Sequence, residues 1–270
     1  GTLCKDFLNT VEKFEDFYNC LELRLLEKSN KLKKLQKKKI KNKKVKWIKS
    51  IDEINCGPII FIGNEFFDSL PIKQIHKNNN IFFEKYVGIE KDSNKIKFIF
   101  KKAKKNLIKN KKKLNLVFSG NTIEYPIEAI KYLKVISKKI IKYDGGLLAF
   151  DYGYIDNKNS DTLQSVVKHK YTDTFSNPGK ADITSHINFK LFSQILKKNN
   201  LKVEKVVNQN EFLQKLGILE RANILSKKIS FREKADMFYR LKKILHYDEM
   251  GSLFKVLFAK KSKKKFSLGF

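Results

Sequence analysis

Six consecutive residues, Pro58-Ile59-Ile60-Phe61-Ile62-Gly63, carry no polar side chain. The run is far too short to cross a bilayer, and a proline and a glycine bound it. It therefore reads as a strand covered on both faces, the sort found at the centre of a parallel sheet. The surrounding stretches agree. Leu21–Leu26 is strand-like, Ser29 can cap a helix running to about Ile40, and Val45–Ile48 is a second short strand. Glu124–Lys142 repeats Ile127, Ile130, Leu133, Ile136 and Ile140 at helical spacing. Gly145-Gly146 then launches a further buried strand, Leu147–Phe150, which stops at Asp151-Tyr152-Gly153-Tyr154. Alternating strands and helices predict an α/β fold with helices on both faces of the sheet.

The remaining chain fills in around that sheet. Thr2–Tyr18 is predicted to be one helix, capped by Thr2, with Leu3, Phe7, Val11 and Phe14 on one face. Ile72–Ile75, Ile81–Ile89 and Lys95–Phe100, with turn signals at Lys77–Asn80 and Lys91–Asn94, predict a β-meander inserted over residues 72–113. Lys101–Lys113 reads as a lysine-rich mobile loop. Residues 155–187 form a second insertion, irregular over Asn157–Thr184, with Pro178-Gly179 at a turn. Asn188–Lys198, Glu211–Leu219 and Phe231–Leu245 are predicted helices, and Leu201–Val207 and Phe254–Lys260 strands. No repeat or clean linker divides the chain, so residues 1–270 read as a single domain with insertions.

Charge bears on partners. There are 58 basic and 28 acidic residues, a net charge of +30. Such a field attracts polyanions. A bias toward codons rich in A and T, which favours Lys, Asn, Ile and Phe alike, explains it as well. No RRM, KH or zinc pattern accompanies the charge. The three cysteines, Cys4, Cys20 and Cys56, lack metal or disulfide spacing and read as small buried hydrophobes in a reducing compartment. His76 and His169 read as exposed loop residues, and four histidines with so few cysteines give no metal signature. No apolar run has membrane-spanning length, and no secretory signal is visible.

The chain opens on Gly1-Thr2-Leu3, then an amphipathic stretch, then a strand closing on Glu27. A glycine turn, a helix and a strand ending in a lone carboxylate describe part of a nucleotide-type site, in which the carboxylate accepts from ribose hydroxyls. Gly1-Thr2-Leu3 resembles the tail of the E-x-G-x-G-x-G-T-L loop of class I methyltransferases. Glu27-Lys28-Ser29-Asn30-Lys31-Leu32 through Gln36 is similar to E-P-S-P-x-L-R-x-x-Q, and Gly63-Asn64-Glu65-Phe66-Phe67-Asp68-Ser69-Leu70-Pro71 to A-N-E-F-F-D-A-L-P. Asp151-Tyr152-Gly153-Tyr154, the run Pro178–Phe189, Gln209–Leu213 and Glu249-Met250-Gly251 follow in the same order. Together they resemble the MidA-type family, the mitochondrial complex I assembly arginine methyltransferases. Lys28 and Asn30 replace family prolines, Gly63 an alanine and Asn188 an aspartate.

The resemblance implies a class I methyltransferase, Rossmann-like sheet, missing its first strand here. It implies S-adenosylmethionine as cofactor, a protein substrate that is a complex I subunit, symmetric dimethylation of arginine, and a mitochondrial address. Gly1, Thr2, Glu27 and Asn64 are the expected cofactor contacts; Asn64 alternatively shapes a turn. Glu65 and Asp68 are the expected catalytic pair. Two carboxylates can hold a guanidinium fork and concentrate electron density on the nitrogen to be alkylated. Asp151 and Tyr152, read as lying at a strand end, are expected on the substrate side with Asp182 and His186. Structural acids, a packed core tyrosine and a hydrogen-bonded lid loop are the competing readings. An RNA methyltransferase or other nucleic-acid binder, and a non-catalytic assembly scaffold, are the alternative functions; oligomeric state is left open.

Overall fold

A computed structural model describes residues 1–93, 95–116, 120–156, 160–168, 170–262, 264 and 266–270. They form two compact units, Gly1–Cys56 and Gly57–Phe270. His169 lies outside the described residues.

The first unit carries α1 (Thr2–Val11), α2 (Glu15–Cys20), β1 (Leu23–Leu26), α3 (Asn30–Lys39) and β2 (Val45–Ile48). β1 and β2 pair in parallel, Leu23 opposite Val45 and Leu26 opposite Ile48. Leu8, Ile40 and Val45 form the buried centre, with Tyr18, Leu23, Leu25 and Trp47 against it. Ser29 caps α3, its hydroxyl accepting from Leu32 N at 3.3 Å. The helix expected over Thr2–Tyr18 is two helices. Leu8 and Val11 reach the core, whereas Phe14 and Phe17 stay exposed. Phe14 leaves helical geometry at φ −115°, ψ 83°, and Glu15 and Asp16 open a new helix whose N-terminal dipole they complement. Gly1, rather than Thr2, holds the N-cap position of α1. Cys20 and Cys56 are exposed and Cys4 half-buried, so the cysteines are not core residues.

The second unit runs β3 (Ile59–Asn64), β4 (Lys73–Asn78), β5 (Ile81–Ile89), β6 (Ile96–Lys102), α4 (Lys105–Lys113), β7 (Thr122–Tyr125), α5 (Ile127–Tyr143), β8 (Gly145–Tyr154), β9 (Gln164–Val167), β10 (Lys170–Thr172), β11 (Asp182–Thr184), β12 (Ile187–Asn188), α6 (Phe189–Lys198), β13 (Lys202–Val203), β14 (Val207–Asn208), α7 (Gln209–Lys215), α8 (Ile218–Ser226), α9 (Phe231–Leu245) and β15 (Phe254–Lys260). β8 is its axis. β3 runs parallel to the first part of β8, Ile59 opposite Gly145 and Asn64 opposite Phe150. β12 runs parallel to its last two residues. β15 pairs antiparallel along β8 from Tyr152 to Gly146, and itself carries β13 and β14.

Side chains alternate across this sheet. Leu148 and Phe150 join Val256, Val207 and Phe212, so α7 covers one face. Leu147 and Ala149 point the other way. There α5 and α6 pack on β8 and on each other, burying Leu133, Ile136, Ile140, Phe192, Ile195 and Leu196. Helices therefore lie on both faces, as the alternation predicts. β3 is less covered than its apolar run implies: Ile60 is 66% and Ile62 51% exposed, because α5 lies on the face carrying Ile59 and Phe61.

A second, antiparallel sheet has the order β6-β5-β4-β7. Asn78 pairs with Ile81, so Asn79-Asn80 is a two-residue hairpin loop; both residues have positive φ, 44° and 62°, as a type I′ turn requires. Five predictions fail locally. Thr122–Tyr125, placed partly at the head of a helix, is a strand pairing with β4, and Pro126 separates it from α5. Lys101–Lys113, read as a loop, ends β6 with its first two residues and is helical over Lys105–Lys113: lysine is a good helix former, and Leu107 anchors the helix by burial. The irregular stretch contains a small sheet, β10-β9-β11, whose strands are too short to show periodicity. His76 is not in a loop but in β4, bonded through Nδ1 to Thr122 Oγ1 at 3.2 Å. Leu201–Val207 is not one strand: Lys202-Val203 forms β13, and β14 begins only at Val207.

Candidate active site

Glu27 follows the last residue of β1. Its Oε1 accepts from Ser29 N at 2.8 Å and its Oε2 from Gln36 Nε2 at 2.9 Å. Gln36 is itself aimed by Trp47, whose Nε1 donates to Gln36 Oε1 at 2.8 Å. A carboxylate has about four lone-pair directions. Two are taken by donors that fix the group, and the rest can accept from a vicinal diol. Gly1 lies beside the same helix: a Cβ there would sit 3.5 Å from Gln36 Cγ. The Thr2 hydroxyl accepts from Lys39 Nζ at 2.7 Å, one helical turn along from Gln36. Three of the expected cofactor contacts thus gather around one face of α3, and their chemistry fits a ribose and its neighbours. Gln36 and Trp47 carried no expected role. The signal was a glutamine inside the family-like motif together with the chain's single tryptophan.

In the second unit, Asn64 ends β3 and Glu65 follows with φ 48°, held by its N–H to Phe150 O at 2.9 Å. A charged, exposed residue in the left-handed region costs on the order of 1 kcal/mol or more and needs over-determined surroundings. Phe66 and Phe67 supply them. Phe66 packs edge-on against Tyr132 of α5 and Phe67 against Phe192 of α6, at 5.1 and 5.2 Å between centroids. Asn64 Nδ2 donates to Glu65 Oε1 at 3.2 Å.

Asp68 faces a different set of groups. It is 5% exposed, and its Oδ2 accepts a short hydrogen bond from the Tyr152 hydroxyl. The Thr184 hydroxyl in turn bonds to Tyr152. Oδ1 of Asp68 is buried with no hydrogen-bond partner. Burial pushes the Asp68 carboxyl above its usual range, and the charge of Asp182 adds to the shift. Burial and the bond to Asp68 raise the Tyr152 hydroxyl as well.

Asp151 requires correction. β8 continues to Tyr154, so Asp151 lies inside the strand and is 1% exposed. Its Oδ2 accepts from Phe67 N at 3.0 Å and Asp68 N at 3.3 Å, and its Oδ1 from Tyr152 N at 3.1 Å. It positions the loop after β3 and touches no open space. Burial, reinforced by the neighbouring Asp68 charge, pushes its pKa up to about 8. The His186 ring packs edge-on to Tyr152 at 5.5 Å, and burial disfavours its charged form. The structure thus brings Asp68, Asp151, Tyr152, Asp182 and His186 into one cluster, and gives the Glu65 carboxylate a different partner.

A pocket of about 390 Å³ opens beside Asp68 and Ser69. Gln74, Lys85, Tyr86, Val87 and Phe98 of the antiparallel sheet form one wall, and Leu163, Ile183, Thr184 and Ser185 the other. A polar knot, buried at Gln74 and Glu124, joins the walls: Gln74 Nε2 donates to Glu124 at 2.9 Å and to Asp161 at 2.6 Å, and the Thr162 hydroxyl donates to Glu124 at 2.6 Å. Among the described residues no cluster of three or more metal-ligating side chains occurs, and no helix is long and apolar enough to cross a membrane.

Residues 1–207 match the family described as "Putative S-adenosyl-L-methionine-dependent methyltransferase". A Caenorhabditis elegans relative, "Protein arginine methyltransferase NDUFAF7 homolog, mitochondrial", is 31% identical over 94% of this chain and 63% of its own length. The Xenopus tropicalis "Protein arginine methyltransferase NDUFAF7, mitochondrial" is 25% identical over 94% of this chain and 64% of its own. The chain therefore spans less than two thirds of these relatives. A Burkholderia thailandensis structure bound to S-adenosyl-homocysteine superposes with a TM-score of 0.81 at 20% identity, covering 100% of this chain and 70% of that one. A second structure from the same organism gives 0.77 at 20% identity, over 92% and 68%. The Rossmann-like architecture implied by the motifs is the fold these structures share. With residues 1–207 of 270 inside the family match, the chain belongs to that family of S-adenosyl-L-methionine-dependent methyltransferases.

Proposed function

We propose that the protein carrying this chain is a mitochondrial protein arginine methyltransferase that uses S-adenosylmethionine, with a complex I subunit as substrate and symmetric dimethylarginine as product. The relatives' names support the arginine and mitochondrial parts of this reading. The observation that carries the site is Glu65: an exposed carboxylate held in left-handed backbone by two aromatic anchors, Phe66 half-buried and Phe67 buried. When bound, the cofactor supplies an electrophilic methyl group for in-line displacement. Glu27 accepts from the ribose hydroxyls, with Gln36 and Trp47 fixing its orientation, and Gly1 and Thr2 let the backbone approach. Asn64 is a further cofactor contact. Glu65 holds the acceptor guanidinium: Asn64 steadies Oε1, and Oε2 accepts from the substrate and takes the proton that alkylation releases.

The test is mass spectrometry of a complex I subunit incubated with the full-length protein and isotopically labelled S-adenosylmethionine, beside a Glu65→Gln variant. We expect labelled arginine, with kcat/KM reduced about a hundredfold or more in the variant. Methylation at an undiminished rate removes Glu65 from the mechanism; no labelled arginine with the unaltered protein removes the reading.

A further inference from the structure

The polar groups around the pocket beside Asp68 are already spent on one another. Asp68 itself offers nothing: Oδ1 is shut off from solvent, and Oδ2 carries the Tyr152 hydroxyl. Ser69 Oγ donates to Phe66 O at 3.1 Å. Gln74 Nε2 is held by Glu124 and Asp161. Lys85 Nζ pairs with Asp161 at 2.9 Å and lies 4.1 Å from the centre of the Phe98 ring. The Tyr86 hydroxyl bonds to Glu84, Thr184 Oγ1 accepts from Gln164 Nε2 at 3.1 Å, and Ser185 is buried. What the pocket presents is hydrocarbon: Leu70, Val87, Phe98, Leu163 and Ile183. Val87 and Ile183 belong to different sheets, on β5 and β11, and stand 62% and 43% exposed. Phe98, opposite Val87 in the β5–β6 register, is fixed by packing against Phe175 at 4.6 Å between centroids.

Such a lining selects its occupant. A charged group entering it would exchange water for walls that give it no partner. A free small ligand would find no polar group to set its orientation. An apolar side chain meets neither obstacle when the backbone that carries it is held outside the pocket. The loop after β3 links the pocket to the place where a polypeptide would be held: Asp68, Ser69 and Leu70 line the pocket, and Glu65 stands three residues before Asp68. Three trans peptide links put the two Cα atoms at most about 11 Å apart. An extended segment covers that span in about three or four residues. We propose that the pocket is a specificity subsite for the protein substrate, taking a large apolar side chain within about five residues of the acceptor arginine. The proposal rests on the arginine methyltransferase reading and narrows its substrates to arginines with a nearby apolar residue.

The test uses fluorescent peptides with one arginine and, at each position along about five residues on either side, alanine, norleucine or lysine. Affinity for the full-length protein is read by anisotropy, and methyl transfer on the same peptides by mass spectrometry. At one position norleucine should bind about tenfold or more tighter than alanine, and lysine should not. A leucine analogue carrying a diazirine at that position should, on irradiation, lose nitrogen and insert into pocket-lining residues of the unaltered protein, as read by tandem mass spectrometry. Val87→Asp, at an exposed side chain, should abolish the norleucine preference; the photochemical readout decides the matter if that variant fails to fold. The proposal is overturned if no position prefers norleucine, if lysine binds as tightly, if insertion falls outside the pocket, or if the preference survives in folded Val87→Asp. An apolar preference without any methyl transfer would leave the subsite standing and remove the enzymatic reading; transfer without the preference would do the reverse.

Discussion

Replacing Asp151 with asparagine tests how the fold holds the loop that presents Glu65 and Asp68. The side chain is 1% exposed and receives three backbone N–H bonds, from Phe67, Asp68 and Tyr152. Those donors favour the carboxylate, yet burial and the Asp68 charge outweigh them and bring the pKa from 3.8 to about 8. Between these values the folded protein keeps a proton that the unfolded chain has released. The contribution is therefore largest below pH about 4, falls as pH rises, and is gone near pH 8. A difference of roughly four, at about 1.4 kcal/mol each, sets a ceiling on the order of 6 kcal/mol across that window. The asparagine variant cannot titrate. It keeps an oxygen for Phe67 and Asp68 but turns an amide toward Tyr152 N–H, at a cost of about 1–3 kcal/mol independent of pH. The assay is urea unfolding of both proteins at half-unit steps from pH 5.5 to 8.5. Subtracting the two profiles removes groups remote from Asp151; Asp68, coupled to it, is controlled by repeating the series in an Asp68→Asn background. The unaltered protein should lose stability relative to the variant as pH rises. Parallel profiles would show Asp151 ionised throughout, with three N–H bonds prevailing over burial.

Gln36→Ala removes the bridge between Glu27 and Trp47, and should weaken S-adenosylmethionine about tenfold in isothermal titration while shifting Tm by only a few degrees; an unchanged Kd would make that bridge merely structural. Two glycines separate space from need. A Cβ at Gly63 would meet Phe66 and Phe67 at 3.5 Å, an ordinary contact, so Gly63→Ala should stabilise by about 0.4–1 kcal/mol in denaturant unfolding. A Cβ at Gly153 would lie 2.1 Å from Ile187 O, so Gly153→Ala should part β12 from β8 and lower Tm by several degrees. If the charge of +30 reflects composition alone, binding of mixed-sequence RNA should be lost between about 50 and 200 mM salt. Retention of tight binding above that range would mark a nucleic-acid site.

What could be read from residues alone follows how local the forces are. Ile130, Leu133, Ile136 and Ile140 bury at their helical spacing because α5 packs along its whole length, so periodicity found it. The Asn79-Asn80 hairpin was visible because its backbone depends on those two residues. β9, β10 and β11 exist only through cross-strand pairing, which leaves no trace in segments of three or four residues. The same division governs the site. The acids after β3 were legible as residues at a strand end, and Glu27 as the residue closing β1. Their separate surroundings were not, because these depend on partners far along the chain. Phe66 seeks Tyr132, Phe67 seeks Phe192, and the backbone between Phe67 and Asp68 is tied to Asp151. With both rings committed inward, Glu65 is left at the surface in strained backbone, while Asp68 is drawn under the Tyr152 hydroxyl. A motif of two acids flanking two phenylalanines therefore specifies one exposed carboxylate and one buried one. That asymmetry would be lost if either aromatic anchor were replaced by a small residue, even with both acids intact.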